Sequence, residues 1–127
     1  MKKTEFSIEY QLKAASINVL WNTIGTPLGL AEWFADGVTV KDNEYTFTWD
    51  KSEQNAILLQ SKINTFIRFQ WEEDIDTDYF FEIRIVLLEV SGDLALLITD
   101  FAEESEKSDL IMLWNKQIEN MRLKTGI

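Results

Sequence analysis

Hydrophobic and polar positions alternate at the start of the chain. In TEFSIEYQLKA, Phe6, Ile8, Tyr10 and Leu12 fall on one face, and Ser7, Glu9, Gln11 and Lys13 on the other. A period of two predicts a half-buried strand. The period then changes. In ASINVLWNTIG, Ile17, Leu20, Trp21 and Ile24 recur at helical spacing, which predicts an amphipathic helix capped by Ser16 and ended near Gly25. A second short helix is predicted in TPLGLAEWFA, where Thr26 suits the N-cap and Pro27 the first helical position. Leu30, Trp33 and Phe34 share one face of it, so the adjacent aromatics read as the buried edge of a helix. Ala35, Asp36 and Gly37 then turn the chain.

From Val38 to Asp100 the pattern predicts strands only. VTVKD and EYTFTWD bracket an Asp42-Asn43 turn, with Tyr45, Phe47 and Trp49 on one face. NAILLQSKI is a strand whose facing the pattern leaves open. FIRFQWEE points Ile67, Phe69 and Trp71 inward and Arg68 and Gln70 outward. DIDTD is a solvated polar turn. YFFEIRIVLLEV is a long strand with Phe81, Ile83, Ile85 and Leu87 on one side, and Glu82 and Arg84 on the opposite, solvent side. SGD turns the chain into LALLITD. Short separators predict an antiparallel sheet. A last helix is predicted from about Glu104 to about Lys124, with carboxylates loading its first turns. Its apolar stripe is Leu110, Ile111, Trp114, Ile118 and Met121, and Met112, out of phase, reads as surface. The order predicts one α+β domain over residues 1–127, with the last helix covering one face of a curved antiparallel sheet.

Composition narrows the function. The chain has five Trp, three Tyr and eight Phe, and 46% of its residues are hydrophobic, which predicts an ordered globule. Its formal net charge of −10 argues against nucleic acid and against an anionic membrane surface. It contains no Cys and no His, which excludes disulfides, thiolate or imidazole metal sites and His-based triads. MKKTEFSIEY lacks the apolar run of a signal peptide, and no stretch approaches the roughly 18 apolar residues of a membrane span. A cytoplasmic location without membrane insertion is expected. In DIDTD, Asp74, Asp76 and Asp78 imitate a calcium loop, but Tyr79 replaces the needed Gly and Ile85 the bidentate Glu. There is no Gly-rich phosphate loop. No metal and no cofactor are expected.

Several phrases resemble a known family. VLWNTIGTPLGLAEWFAD is similar to a first helix with its Trp and a GL..WF turn. AILLQSKINTFIRFQW is similar to a strand pair ending in Trp. IRIVLLEVSGDLALLITD resembles a last hairpin and LIMLWNKQIENMRL a closing helix. Together they resemble the START-like, helix-grip superfamily over nearly the whole chain, and within it the activator-of-heat-shock-ATPase-like branch that neighbours polyketide cyclases. The chain departs from that family in two places. KSDLIML stands where a Gly-Trp pair often enters the last helix, and Asp100 where the last strand often ends in His. The chaperone-binding N-terminal domain of eukaryotic relatives has no counterpart in this sequence, which argues against a co-chaperone role.

The resemblance implies a helix-grip fold with a cavity between the long helix and the concave sheet face, holding a lipid-, sterol- or polyketide-like molecule. By period, Phe47, Trp49, Phe69, Trp71, Phe81, Ile83, Leu96, Ile98, Trp114, Ile118 and Met121 point at that interior. With Phe34 and Asp100 they form the candidate ligand-binding set. The pattern leaves open whether the space is hollow or a filled core. Asp100 shares a strand face with Leu94, Leu96 and Ile98. Turned inward it would have a raised pKa and serve as acid or base, but the preferred reading ends the strand there, at the surface. The expected function is non-catalytic binding of an apolar small molecule. A protein-interaction module with a filled core, or a cyclase-like enzyme using Asp100, are the alternatives.

Overall fold

A computed structural model describes residues 2–12 and 15–127 of the chain; Lys13 and Ala14, placed above at the end of the first strand, lie outside them. Among the described residues the first strand, β1, spans Thr4–Gln11. Two helices follow, α1 (Ile17–Ile24) and α2 (Pro27–Trp33). Strands β2 (Gly37–Lys41), β3 (Glu44–Trp49), β4 (Ser52–Lys62), β5 (Phe66–Trp71), β6 (Phe81–Leu87) and β7 (Leu94–Ala102) come next, and α3 (Lys107–Thr125) closes the chain. The fold is α+β: a seven-stranded antiparallel sheet in the order β1-β7-β6-β5-β4-β3-β2, with α3 lying across one face. The chain leaves β1 at one edge, crosses through α1 and α2 to the other edge at β2, and meanders back until β7 pairs with β1.

The two short helices are built as their caps predict. Ser16 accepts a hydrogen bond from the Val19 amide at 3.2 Å. Thr26 accepts from the Gly29 amide at 3.0 Å and donates to the Asn22 carbonyl at 2.7 Å, so one hydroxyl starts α2 and ties it to α1. The apolar stripe of α1 is narrower than predicted. Leu20 and Ile24 are fully buried, whereas Ile17, in the first turn, is 45% exposed. Close approach of the helices demands a glycine. A Cβ on Gly29 would meet the Asn22 carbonyl oxygen at 2.0 Å and that of Thr23 at 2.7 Å, both backbone atoms. Gly29→Ala should therefore destabilise the protein by about 1–3 kcal/mol, the range for overpacking, despite alanine's better helix propensity. Urea unfolding of the variant checks this; an unchanged midpoint would show that the helices part freely.

Elsewhere the structure corrects the pattern. β4 begins at Ser52, three residues before the predicted start, and Leu59 is the extra residue of a bulge: Leu58 pairs with Phe69 but Gln60 with Arg68. β6 begins only at Phe81, and Leu87, assigned above to the inner face, is 63% exposed where the strand ends. β7 runs past Asp100 to Ala102. Glu82 does not face solvent. It is buried, and Arg68 donates to its Oε1 at 2.7 Å while Arg84 donates to its Oε2 at 2.9 Å. Burial alone would raise the Glu82 pKa, but the two guanidinium partners outweigh it and hold it below the usual value. Arg68 in turn lies over the Phe80 ring and Arg84 over the Phe66 ring, each at 4.3 Å, so this part of the outer face is an aromatic and ion-pair cover. Asp74, in the predicted solvated turn, is also buried, on a 3-10 turn at Glu72–Asp74, where Lys3 reaches it at 3.3 Å. α3 starts at Lys107, so Glu103, Glu104 and Glu106 precede it and only Asp109 lies in its first turn. At its other end Arg122 and Lys124 lie in the last turn, where they suit the negative end of the helix dipole, and Gly126 is left-handed at φ 77°.

Candidate functional site

The corner after α2 organises one end of the molecule. Phe34, the last of the paired aromatics, is buried at the hub of a ring cluster. Its ring meets Trp33 at 5.6 Å, Phe47 at 5.0 Å, Trp49 at 5.8 Å, Phe81 at 5.7 Å and Trp114 at 5.8 Å. The carbonyls at the end of α2 have no partner within the helix, and side chains from other elements supply one. The Trp49 indole N–H donates to the Phe34 carbonyl at 2.8 Å, and Gln117 donates to the same oxygen at 3.0 Å. Asn120 donates to the Trp33 carbonyl at 3.2 Å. The corner is thus fastened to both β3 and α3.

Between α3 and this end of the sheet lies a half-open cleft of about 310 Å³. Phe34, Trp49, Trp71 and Trp114 wall it, Leu110, Leu113 and Gln117 line it from α3, and Ser52 and Gln54 from β4. Asp100 is at its inner side, 7% exposed. Its Oδ2 accepts the Trp114 indole N–H at 2.8 Å, and its Oδ1 accepts the Phe101 amide at 2.7 Å. Burial pushes its pKa up to about 6, although the Trp114 and Phe101 hydrogen bonds and the Lys3 charge pull the other way. Behind it a second cavity of about 160 Å³ shares Trp71, Asp100 and Leu110 with the cleft, and Lys3, Asp74, Tyr79 and Glu106 face that cavity. On the outer side, Phe34, Trp49, Leu113 and Gln117 also line a groove of about 710 Å³ between α2 and α3.

A family model for the START-like superfamily domain matches residues 1–127. The chain belongs to the START-like superfamily. The chain is similar to BfR322 of Bacteroides fragilis, with 41% identity over 96% of this chain and 90% of that one, and a TM-score of 0.67. Its START-like fold is also that of the Aha1 dimer of Colwellia psychrerythraea, at 13% identity, 99% and 98% coverage and a TM-score of 0.73. DynU16, a protein of the dynemicin biosynthetic locus, has a TM-score of 0.68 at 14% identity, over 98% of this chain and 48% of that one. No curated protein matches the chain in sequence.

In this START-like chain the predicted site residues separate into two groups. Phe34, Trp49, Trp71, Asp100 and Trp114 come together around the cleft. Phe47, Phe69, Phe81, Ile83, Leu96, Ile98, Ile118 and Met121 are buried in the core cluster and do not line the cleft. Asp100 does not end its strand at the surface as preferred above; β7 carries it inward, where the Trp114 indole meets it. Sequence reasoning missed Ser52, Gln54, Leu110, Leu113 and Gln117 as cleft residues. A signal existed for Leu110 and Gln117, which stand four before and three after Trp114 on α3. Ser52 and Gln54 lie on the part of β4 that the apolar pattern did not reach. Among the described residues no group of three or more acidic side chains is placed to hold a metal ion, and no helix is long and apolar enough to cross a membrane.

Proposed function

We propose that the protein binds an apolar small molecule in the aromatic cleft, without transforming it. The carrying observation is the wall of Phe34, Trp49, Trp71 and Trp114 around a half-open space, with few polar groups in it. Its volume of about 310 Å³ is at the low end of ligand sites, which suits one or two fused rings or a short chain better than a sterol. The fully buried Ile118, Leu96 and Ile98 fill the centre of the grip, so the ligand occupies its end. Membership of the START-like superfamily supports small-molecule binding in general. Acid–base catalysis is the second reading, favoured by one observation: the Asp100 carboxyl is buried at the inner side of the cleft, and that burial raises its pKa to about 6.

Leu113 is half exposed on α3 and borders the cleft, so extra bulk there should block binding while leaving the fold intact. A bound ligand at about a hundred times its Kd should raise the melting temperature by about 10 °C for a chain of this size. The expected result is a thermal shift with 1-naphthalenemethanol for the wild type and none for Leu113→Trp. If neither this probe nor a panel of indoles, naphthalenes and short fatty alcohols shifts the wild type, the binding reading fails.

A further inference from the structure

We infer that the cleft selects an organic cation: an ammonium group on a ring-sized apolar body, its nitrogen against Asp100 and its body against the indoles. This deepens the binding reading above and rests on it. Asp100 is the one ionisable side chain that lines the cleft among the described residues; no Lys or Arg faces it there. A carboxylate offers about four acceptor positions. The Trp114 indole and the Phe101 amide use two, both through neutral donors. The remaining positions have no donor among the described residues, and Asp100 borders the cleft. An ammonium would supply that donor and the missing charge together, and indole faces favour a cation within about 6 Å of the ring. An anionic ligand would instead bring its charge to a buried carboxylate with no cation bonded to it.

The groups behind Asp100 do not replace this cation. Lys3 is held by Asp74 at 3.3 Å and acts on Asp100 only at a distance, while Asp74 opposes it. Glu73, Tyr79 and Glu106, which face the cavity behind, add no positive charge. The whole chain carries −10, so cations are also concentrated at its surface. That attraction is screened by salt, whereas a contact with a buried carboxylate is screened much less.

The test uses three probes of one shape: 1-naphthylmethylammonium, 1-naphthalenemethanol and 1-naphthoate, measured by titration calorimetry. The amine should bind at least tenfold more tightly than the naphthoate. Because it pairs with the ionised carboxylate, its affinity should rise about tenfold from pH 5 to pH 7, while that of the alcohol stays flat. Asp100→Asn should erase both effects. If the alcohol or the naphthoate binds as tightly as the amine, the cation assignment falls and the binding reading stands. If no probe binds, the cation assignment falls, and the binding reading falls with it when the panel above gives no shift either. An amine preference that survives Asp100→Asn but disappears at high salt belongs to the surface charge and overturns the assignment. Should Asp100→Asn fail to fold, the wild-type pH series decides alone: a flat amine affinity overturns the inference.

Discussion

Replacing Trp33 with alanine should destabilise the protein by about 3–5 kcal/mol, the range for deleting a large core aromatic. Trp33 is 3% exposed at the end of α2. Its indole N–H donates to the Thr23 carbonyl at 3.0 Å, in the last turn of α1, so one side chain clamps the two short helices together. Its backbone carbonyl accepts from Asn120 of α3. Alanine would leave a cavity beside Phe34 and an unpaired carbonyl at the end of α1. Neither helix is long enough to be stable alone in water, so both depend on such packing. Trp33→Phe separates the contributions: it keeps most of the ring and should lose only the hydrogen bond and part of the area, about 1–2 kcal/mol. Urea unfolding of the three proteins measures this. A loss under about 1 kcal/mol for Trp33→Ala would show that the helices are held by other contacts.

The pairing of Trp33 with Phe34 also shows what the pattern could and could not carry. Their placement on the helix face of Leu30 follows from spacing alone, because Leu30 stands three and four residues before them. The strand periods of Tyr45, Phe47 and Trp49, and of Ile67, Phe69 and Trp71, are local in the same way, and with short separators they lead to the antiparallel sheet. Where the pattern failed, something non-local had taken over. β4 has no alternation to read because the Leu59 bulge shifts its facing midway. Glu82 is indistinguishable from a solvated glutamate until Arg68 of β5 pairs with it across the sheet.

The candidate site divides along the same line. Period alone turns Phe81, Ile83, Leu96 and Ile98 inward, but it does not say how much space remains between them. That depends on how closely α3 approaches the sheet, and Ile118 and Met121 are fully buried in the middle. Space is left at the end, where the bulky rings of Trp49 and Trp71 meet the first half of α3. The pattern put Asp100 on the strand face of Leu96 and Ile98, but the preferred reading ended the strand there at the surface, and only the structure turns it inward. Its partner, the Trp114 indole, is fourteen residues away on another element, and no local signal joins them.

That partnership makes the charge state of Asp100 a stability term with a definite sign. Its pKa is raised from the ordinary 3.8 to about 6, chiefly because burial disfavours the charged form. The folded protein therefore holds this proton more tightly than the unfolded chain does. The resulting stability is fully present below about pH 4 and is lost as the pH rises through 6. A shift of about two units corresponds to about 3 kcal/mol. Glu82 acts in the other direction and in a lower window: its depressed pKa contributes stability above its ordinary 4.5, lost as the pH falls. Asp100→Asn keeps the shape and removes the proton. The stability difference, wild type minus Asn variant, should fall by about 2.5 kcal/mol from pH 4 to pH 8, nearly all of it below about pH 6.5, with the midpoint of the whole fall near 5, between the unfolded and folded pKa values. Glu82 cancels in that difference because both proteins carry it. Any constant offset reflects how the amide fits against two N–H donors, and only the slope tests the charge. Trp114→Phe removes the indole donor that favours the carboxylate, so it should raise the folded pKa and extend the fall above pH 6. Urea unfolding at a series of pH values supplies each curve. Parallel curves for wild type and Asp100→Asn would mean that Asp100 titrates like an exposed carboxylate, and both the acid–base reading and the cation inference would lose their buried charge.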